Sequence, residues 1–334
     1  MKIAFFEIQD WEEDYFKKAL PGHDLFFSRE KIDRTQAEHV KDYDVISVFI
    51  YSTISADILA QLGTLRMIAT RSTGFDHIDL AACAQRNIMV CTVPSYGENT
   101  VAEHTFALIL ALSRNIHKSH VRRLRNDFSI DGLKGFDLKG KTIGVIGAGH
   151  IGLHVIKIAR GFGMNVIVFD PQQNSFLSEV LEFTYAPLND LLARSDIITL
   201  HAPYNKHTHH IINEENVFTI KRGAILINTA RGELVDNDAL IMGLDQGILA
   251  GTGLDVIDGE DLIKEEKQLL YDREKMESLS ELIKDHILLG KENVVYTPHI
   301  AFYSNEALQR IADTTAENIR AFADGKPCNA VDRG

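Results

Sequence analysis

The sequence of 334 residues is poor in cysteine, lacks long hydrophobic runs and carries no excess of positive charge. Its three cysteines, Cys83, Cys91 and Cys328, are odd in number and include no C-x-x-C pair. This pattern argues against a disulfide framework and a thiolate metal site, and it predicts a reduced, cytoplasmic setting. The longest apolar run covers residues 106–112, whereas a membrane-spanning helix needs about 20 apolar residues. The first charges come too early for a secretory signal peptide, so we expect a soluble protein.

The balance of charge is acidic, with a formal net charge of −12. Nucleic acid and anionic membrane surfaces are therefore unfavourable main partners, because like charges repel. One local basic cluster lies near the end of a predicted long helix and consists of Lys118, Arg122, Arg123 and Arg125. Cations at that end of a helix complement its dipole, so we predict a structural role for the cluster.

Two groups of histidines raise the question of a metal site. His207, His209 and His210 are close in sequence, and His117 and His120 lie about one helical turn apart. Neither group belongs to an H-E-x-x-H pattern or has an accompanying set of cysteine or aspartate ligands. We therefore predict no metal and expect these side chains on solvated loop and helix faces.

The first hundred residues alternate short apolar runs with segments of helical spacing. Predicted strands are 3–6, 45–50, 67–70 and 88–92, and predicted helices are 11–20, 56–62 and 80–86. Such alternation is typical of parallel βα units in a doubly wound sheet. Thr100 and Glu103 then form a capping-box pattern that predicts a long helix to about Leu124. Because its stretch 106–112 is wholly apolar, we expect it to lie between domains or subunits, which predicts a homodimer.

The strongest motif of the sequence begins after residue 142. The apolar run 143–146 predicts a buried strand, and Gly147, Gly149 and Gly152 follow it in a G-x-G-x-x-G pattern where a helix starts. In such a motif the glycines allow a tight turn, close approach of a pyrophosphate and close packing of helix on strand. The pyrophosphate binds at the positive end of the helix. A fortuitous glycine-rich turn is the alternative, but the flanking strand and helix favour a dinucleotide site.

Asp170 supports this interpretation and bears on the choice of cofactor. It closes the second predicted strand, where a carboxylate can accept hydrogen bonds from both ribose hydroxyls of an adenosine. The same carboxylate would repel a 2′-phosphate, and the residues 171–173 offer no Arg or Lys to neutralise one. The sequence therefore favours NAD over NADP.

Further buried strands are predicted at 197–200, 224–228, 249–254 and 294–297. Asn213 and Asp236 have the position of helix N-caps between them. Residues 261–290 are charged and predict an inserted surface excursion, and 305–322 predict an amphipathic helix that returns to the first domain. A chain of this length is expected to form about two domains.

Three residues with the chemistry of an active site follow the later strands. Arg231, Glu260 and His299 come after 224–228, 249–254 and 294–297, and ligands of open α/β sheets bind beyond the carboxyl ends of strands. A guanidinium can hold a substrate carboxylate with two parallel hydrogen bonds. A histidine can give a proton to a carbonyl oxygen, and a neighbouring carboxylate raises the pKa of that histidine. Taken singly, Arg231 fits an ion pair and Glu260 a solvated loop equally well.

Taken together, the motifs resemble the D-2-hydroxyacid dehydrogenase family. The resemblance rests on the glycine fingerprint with Asp170, on 228–232 leading to 253–255, and on Thr297-Pro298-His299. It runs from about residue 72 to 322, and the 261–290 segment looks like the D-lactate dehydrogenase branch. The family implies two doubly wound α/β domains with a cleft between them: a flavodoxin-like substrate domain of residues 1–98 and 299–334, and a Rossmann NAD-binding domain of residues 99–298.

The resemblance also implies roles for individual residues. Arg231 would bind the substrate carboxylate and carbonyl, His299 would be the acid/base, and Glu260 would be the partner of His299. Besides Arg231 and the three glycines, the implied NAD contacts are His150, Ile151, Asp170, Ala202, Pro203, Thr208, Thr229, Ala230 and Asp255. The implied substrate contacts are Tyr51, Thr73, Gly74, Tyr96 and Phe302, together with Arg231 and His299.

The resulting hypothesis is an NAD-dependent enzyme that interconverts a small 2-keto acid and a D-2-hydroxy acid, with pyruvate and D-lactate as the expected pair. Three alternatives come from the same family: an NAD-sensing corepressor-like binding protein, a relative acting on a larger 2-keto acid, and an enzyme that oxidises formate or phosphite. The complete set of Arg231, Glu260 and His299 favours the enzyme that acts on a keto acid.

Overall fold

The structure is a computed structural model that describes residues 1–259 and 276–331. The chain divides into two compact units. The first comprises Met1–Gly97 and the C-terminal segment from Ser304, and the second comprises Glu98–Tyr303. Across the residues that the structure describes, no helix combines the length and apolar character needed to cross a membrane.

The first unit contains a parallel sheet of five strands. These are β1 (Lys2–Phe5), β2 (Asp24–Phe27), β3 (Val45–Val48), β4 (Met67–Thr70) and β5 (Met89–Cys91). Their spatial order, β2-β1-β3-β4-β5, is the flavodoxin-like doubly wound arrangement. The helices of this unit are α1 (Asp10–Ala19), α2 (Arg34–His39), α3 (Ala56–Gln61) and α4 (Leu80–Gln85), joined by the C-terminal helix Asn305–Ala323.

Helices cover both faces of this sheet, which explains why its central strands β3 and β4 are buried along their whole length. On one face, Phe5 and Val45 pack in a cluster with Phe16 of α1 and Ile319 of the C-terminal helix. The other face buries Ile46, Val48 and Ile68 against α3 and α4. The predicted return of the C-terminal helix to the first unit is confirmed.

The second unit contains a parallel sheet of seven strands. These are β6 (Thr142–Ile146), β7 (Asn165–Phe169), β8 (Thr184–Tyr185), β9 (Ile197–Leu200), β10 (Ala224–Asn228), β11 (Leu249–Leu254) and β12 (Val294–Tyr296). Their order is β12-β11-β10-β9-β6-β7-β8, which contains the Rossmann order with one further strand at an edge. The predicted fold class of two doubly wound α/β units is confirmed.

The helices of the second unit cover both faces of that sheet. They are α5 (Glu98–Ser113), α6 (Ile116–Leu124), α7 (His150–Gly161), α8 (Ser175–Val180), α9 (Leu188–Arg194), α10 (Asn237–Asp245) and α11 (Met276–Leu289), with single 3₁₀ turns at Val217–Thr219 and Gly232–Leu234. The C-terminal helix Asn305–Ala323 of the first unit is α12.

The sequence predicted one helix from Thr100 to about Leu124, and both its predicted start and its predicted continuity are wrong. Helix α5 begins earlier, at Glu98, so Thr100 and Glu103 lie within it and form no capping box. The helix then stops at Ser113, because Asn115 adopts a left-handed φ of 50° and donates to the carbonyl oxygens of Leu133 and Lys134. A separate helix, α6, follows.

The burial of the apolar stretch has an internal cause. Phe106, Ile109 and Leu112 of α5 pack in one cluster with Val145 of β6 and Ile227 of β10, all within the second unit. The apolar character of α5 therefore gives no argument for an oligomer, contrary to the sequence-based expectation.

Two further predictions are corrected. Asn213 accepts hydrogen bonds from the amides of Glu215 and Asn216, but the element that follows is a 3₁₀ turn and not an α-helix. The segment 261–290 is not wholly a surface excursion, because Leu288 of α11 is completely buried in the core of the second unit. Asp236 does cap α10 as predicted, accepting from the amide of Asp238 at 2.9 Å.

Candidate active site

The glycine fingerprint lies directly beyond the carboxyl end of β6, which is the position in the sheet where the strand order reverses. Gly147 has a φ of +96°, and a Cβ atom there would lie 2.7 Å from the backbone nitrogen of Ala202 and from the carbonyl carbon of His201. A side chain at Gly152 would lie 2.1 Å from the carbonyl oxygen of Gly147. Only glycine fits these two positions, because the backbone of the turn contacts the loop after β9 at Gly147 and the first turn of the following helix at Gly152.

Gly149 has a different role from its neighbours. It is the N-cap of α7, which begins at His150, and a Cβ atom at Gly149 would meet nothing within 4 Å. The backbone at the start of α7 can therefore be approached closely from that side. The amides of the first helical turn and the helix dipole make this a site for an anion such as a pyrophosphate.

Asp170 directly follows β7 and lies beside this turn. Its Oδ2 accepts a hydrogen bond from the amide of Ala148 at 2.7 Å, and its Oδ1 accepts one from the amide of Gln172 at 2.7 Å. The carboxylate is thereby held against the fingerprint loop with a defined orientation. Because a carboxylate has about four acceptor positions, it can still bind ribose hydroxyls. The glycine turn, the start of α7 and Asp170 together fit a dinucleotide.

The loop after β9 forms the other side of the fingerprint turn. Its shape is set by Thr208, whose hydroxyl donates to the carbonyl oxygen of Pro203 at 2.7 Å and accepts from the amide of Asn205 at 2.8 Å. His201, at the start of the loop, pairs through Nε2 with the hydroxyl of Thr199 at 2.9 Å. Burial lowers the pKa of His201 to about 3, so the imidazole is neutral at physiological pH.

Arg231 lies on a turn built by Asn228, the last residue of β10. The Asn228 side chain accepts from the amide of Ala230 at 3.1 Å and donates to the carbonyl oxygen of Arg231 at 2.8 Å. Gly232 follows, where a Cβ atom would lie 2.1 Å from the carbonyl oxygen of Ile257. Thr229 is also held, since its hydroxyl meets that of Thr105 at 2.9 Å. The guanidinium of Arg231 is thus carried on a rigid turn at a strand end.

His299 lies on a second rigid turn, beyond the carboxyl end of β12. Its φ is 54°, in the left-handed region that a residue other than glycine rarely adopts, and its amide donates to the carbonyl oxygen of Asp255 at 2.8 Å. The Asp255 carboxylate accepts from the Thr297 hydroxyl at 2.5 Å and from the amides of Ile300 and Ala301 at 2.9 and 2.8 Å. Asp255, which is buried, therefore holds the whole turn.

His104 completes this arrangement from helix α5. Its Nε2 lies 2.9 Å from the Thr297 hydroxyl, and burial lowers its pKa although Asp255 opposes the shift. Because the Thr297 proton goes to a carboxylate that can only accept, His104 must donate to the Thr297 oxygen. His104 and Thr297 were not among the predicted site residues. The only available signal was the position of Thr297 at a strand end.

Three more predicted residues of the second unit are placed as follows. His150 is exposed at the start of α7, with its Nδ1 3.8 Å from Oε1 of Glu98. Ile151 is half-buried, and Phe302 is buried with its ring centroid 6.5 Å from that of His299. Glu260, the predicted partner of His299, lies outside the described residues.

The predicted substrate contacts of the first unit lie on loops at the carboxyl ends of its strands. Thr73 is exposed after β4, and its hydroxyl donates to the carbonyl oxygen of Val93 at 2.7 Å. The carbonyl oxygen of Gly74 accepts from the Ser72 hydroxyl at 2.6 Å. Tyr51 follows β3 with 44% of its surface exposed, and Tyr96 is half-buried after β5.

Comparison with known proteins gives a consistent result. The model of the NAD-binding domain of D-isomer-specific 2-hydroxyacid dehydrogenases matches residues 106–301. A 2-hydroxyacid dehydrogenase homolog of Haemophilus influenzae is 36% identical, with 99% of each chain covered. The chain belongs to the D-2-hydroxyacid dehydrogenase family.

Two further relatives bear on the chemistry. An aromatic 2-oxoacid reductase of Clostridium sporogenes is 36% identical, with 96% of each chain covered. The crystal structure of D-lactate dehydrogenase from Aquifex aeolicus, complexed with NAD and lactic acid, superposes with a TM-score of 0.87 at 36% identity, covering 97% of this chain and 96% of that one. The present protein is therefore an NAD-dependent oxidoreductase of D-2-hydroxy acids, and NAD is its cofactor.

Proposed function

We propose that the physiological reaction of this dehydrogenase is the reduction of pyruvate to D-lactate. The observation that carries the proposal is the placement of Arg231 and His299. Each lies on a turn tied down by a buried polar side chain, Asn228 or Asp255, at a strand end of the sheet that carries the fingerprint. Rigid placement of a carboxylate-binding cation and an acid/base is what reduction of a 2-keto acid requires.

In this proposal Arg231 binds the substrate carboxylate through two parallel hydrogen bonds and orients the carbonyl. His299 donates a proton to the carbonyl oxygen as that oxygen gains negative charge. NADH, when bound, supplies the hydride. Glu260 is proposed to stabilise the charged imidazole, which favours the proton-loaded form that reduction needs.

The remaining proposed contacts follow the predicted set. The proposed substrate contacts are Tyr51, Thr73, Gly74, Tyr96 and Phe302, together with Arg231 and His299. The proposed cofactor contacts are Gly147, Gly149, His150, Ile151, Gly152, Asp170, Ala202, Pro203, Thr208, Thr229, Ala230, Arg231 and Asp255. Asp255 differs from the other members of this set, because its carboxylate already accepts three hydrogen bonds from the His299 turn.

The relatives of this chain differ in the size of the substrate side chain that they accept. The lactate enzyme and the aromatic 2-oxoacid reductase are equally identical to this chain. The test is kcat/KM with NADH for pyruvate, 2-oxobutyrate, 4-methyl-2-oxopentanoate and phenylpyruvate. We expect pyruvate to rank first. A higher value for phenylpyruvate would assign the larger substrate, and absence of turnover with every 2-keto acid would refute the reaction.

Two variants connect that assay to the named residues. His299→Ala should lose several orders of magnitude in kcat while still binding NADH, because only proton transfer is removed. Arg231→Lys keeps the charge but cannot make the two parallel hydrogen bonds of a guanidinium, so KM for pyruvate should rise steeply and kcat should fall. A lysine variant with kcat/KM near that of the parent would show that Arg231 is structural.

We also propose a homodimer, on an observation different from the one that the sequence suggested. Helix α6 and the segment after it expose large apolar side chains: Val121 at 45%, Leu124 at 60%, Phe128 at 77% and Ile130 at 83%. Large apolar side chains exposed this close together in the sequence are typical of an interface. Light scattering should give twice the mass of one chain. The double substitution Phe128→Ser with Ile130→Ser should give monomers, whereas Phe176→Ser, at a site that is 70% exposed in α8, should not.

The proposed location is the cytoplasm. None of Cys83, Cys91 and Cys328 forms a disulfide. Thiols persist in a reducing compartment. Cell fractionation that placed the protein with an oxidising compartment would contradict this.

A further inference from the structure

Glu7 is the second residue beyond β1, at the edge of the sheet where the strands of the first unit end. Its φ is 55°, so it adopts the left-handed conformation without being glycine. Such residues are uncommon and are retained where the surrounding structure demands the conformation. The conformation turns the Glu7 side chain towards the loop after β3, which carries Tyr51.

The Glu7 carboxylate accepts three hydrogen bonds from that loop. Oε2 accepts from the amide of Phe49 at 2.9 Å and from the hydroxyl of Ser52, and Oε1 accepts from the amide of Tyr51 at 2.8 Å. Ser52 is completely buried, and its oxygen already accepts from the amide of Ile32 at 3.1 Å. Its proton is therefore directed at Glu7, and the loop from 49 to 52 is organised around one carboxylate.

Arg71 holds the backbone of Glu7 in this position. Its guanidinium is 1% exposed and donates to the carbonyl oxygens of Phe6 and Glu7 at 2.6 and 2.9 Å and to the hydroxyl of Ser47 at 3.1 Å. Oε1 of Glu12 lies 3.5 Å from its Nε. The buried positive charge is therefore surrounded by acceptors, as a buried charge must be.

The position of Arg71 in the sequence links two loops. Arg71 lies two residues before Thr73, at the start of the loop that carries Thr73 and Gly74, and through the backbone of Glu7 it also supports the loop of Tyr51. Both loops belong to the proposed substrate contacts of this unit. The backbone of Arg71 leads into one of them, and its guanidinium holds the Glu7 backbone that supports the other. Tyr51 itself is positioned by its amide, so its exposed ring projects from a fixed backbone.

We propose that Glu7 is a positioning residue that sets the place of Tyr51 and thereby selects among the side chains of 2-keto acids. The inference rests on the proposed function, because Tyr51 is a substrate contact only in that proposal. Glu7 touches neither substrate nor cofactor in this scheme. It acts through the loop of residues 49–52.

Glu7→Gln is the informative substitution because it keeps the shape and changes only the acceptors. A glutamine offers one acceptor oxygen and one donor NH₂ group, whereas the donors of the loop approach both carboxylate oxygens. In either orientation of the amide, an NH₂ group faces a backbone N–H, of Tyr51 in one case and of Phe49 in the other. The loop must then shift or lose a hydrogen bond.

The test measures KM and kcat of Glu7→Gln for the four keto acids above, with Glu30→Gln as the control. Glu30 is an exposed acid of the same unit, so its substitution makes the same change of charge without touching the loop. We expect KM for pyruvate to rise about tenfold in Glu7→Gln, the effect of losing one hydrogen bond to a charged group, and the ranking of substrates to shift towards larger side chains. The Kd for NADH and all constants of Glu30→Gln should stay within about twofold.

A second set of variants separates positioning from general destabilisation. If Glu7 acts through Tyr51, its effect on KM should disappear in a Tyr51→Ala background, whereas a general loss of stability would add to the effect of Tyr51→Ala. Glu7→Asp, which keeps the charge but shortens the side chain, should give a smaller shift in the same direction. It also serves as the test variant if Glu7→Gln does not fold.

Hydrogen exchange gives a readout that needs no activity. The amides of Phe49 and Tyr51 should exchange faster in Glu7→Gln than in the parent, because their acceptor is altered. Unchanged exchange, unchanged substrate ranking, or effects that add in the double variant would each overturn the role of Glu7. Absence of activity in the parent with every keto acid would refute the proposed function instead, while faster exchange would still support the placement of the loop by Glu7.

Discussion

The neutral imidazole of His201 leads to a prediction about stability in acid. Its Nε2 pairs with Thr199, and its Nδ1 is shielded from solvent without a hydrogen-bond partner among the described residues. Burial lowers the pKa from 6.5 to about 3. Below pH 6.5 the unfolded chain therefore binds a proton at His201 that the folded chain does not bind. The second unit should lose stability as the pH falls from 6.5 towards 3.

The magnitude follows from the two pKa values. At pH 5 the unfolded imidazole is almost fully protonated and the folded one is neutral, which costs at most about 2 kcal/mol of unfolding free energy relative to pH 7. The figure is an upper value because the residue as a whole is half-buried and its surroundings can relax. The loss grows further as the pH approaches 3 and stops below it.

The perturbation is His201→Gln, which removes the titrating group and keeps a polar atom near Thr199. His207→Gln, at an exposed position in the same loop, is the control. Urea titrations are made at pH 7, 6 and 5. Unfolding is monitored by hydrogen exchange of peptides from β6 and β9, which reports on the second unit specifically. Between pH 7 and pH 5, the free energy of unfolding should fall by up to about 2 kcal/mol less in His201→Gln than in the parent. In His207→Gln it should fall by the same amount as in the parent.

A direct check is the NMR titration of the imidazole carbon-bound protons, with the His201 signal assigned by its absence in His201→Gln. The reasoning fails if this signal titrates near pH 6.5. It also fails if the stability of His201→Gln falls between pH 7 and pH 5 by as much as that of the parent.

Three further predictions concern the second unit. Gly147→Ala should raise the Kd for NADH at least about a hundredfold in a fluorescence titration, because the added carbon lies 2.7 Å from the Ala202 nitrogen and φ is +96°. NAD should be preferred over NADP by about tenfold, or 1.4 kcal/mol, in kcat/KM, and Asp170→Ala should narrow that gap; equal values in the parent would contradict the role of Asp170. Asp255→Asn should lower kcat about tenfold or more with little change in the Kd for NADH, since an amide cannot accept all the hydrogen bonds of the His299 turn; a loss confined to NADH affinity would instead indicate direct contact with the cofactor.

The sequence alone predicted the central strands well. The predicted bounds of β9, β10 and β11 agree with the structure, since a parallel strand buried on both faces is a nearly continuous apolar run. The fingerprint was equally clear, because Gly147 and Gly152 are required where the turn lies against neighbouring backbone, and Gly149 leaves the start of α7 open to close approach. The confirmed family and cofactor also followed from motifs of this local kind.

Elements with weak local signals were missed. The edge strand β2 begins with an exposed Asp24 and has no fully buried residue, so it shows neither an apolar run nor a clear alternation. The end of α5 depends on Asn115, whose side chain bonds to Leu133 and Lys134 well beyond the helix. A propensity computed within a short window does not include such a partner.

What the sequence by itself determined is which side chains are candidate reactive groups, because Arg231 and His299 each follow a recognisable buried strand. Only the tertiary structure decided what holds them and their neighbours in place. Asp255 binds the turn after a different strand, and Arg71 bonds to carbonyl oxygens of residues 6 and 7 from the end of β4. These contacts join residues distant in sequence, and a buried charge can be satisfied by any acceptor that the fold brings within about 3 Å. Local pattern therefore specifies which chemistry is present, and long-range packing specifies its geometry.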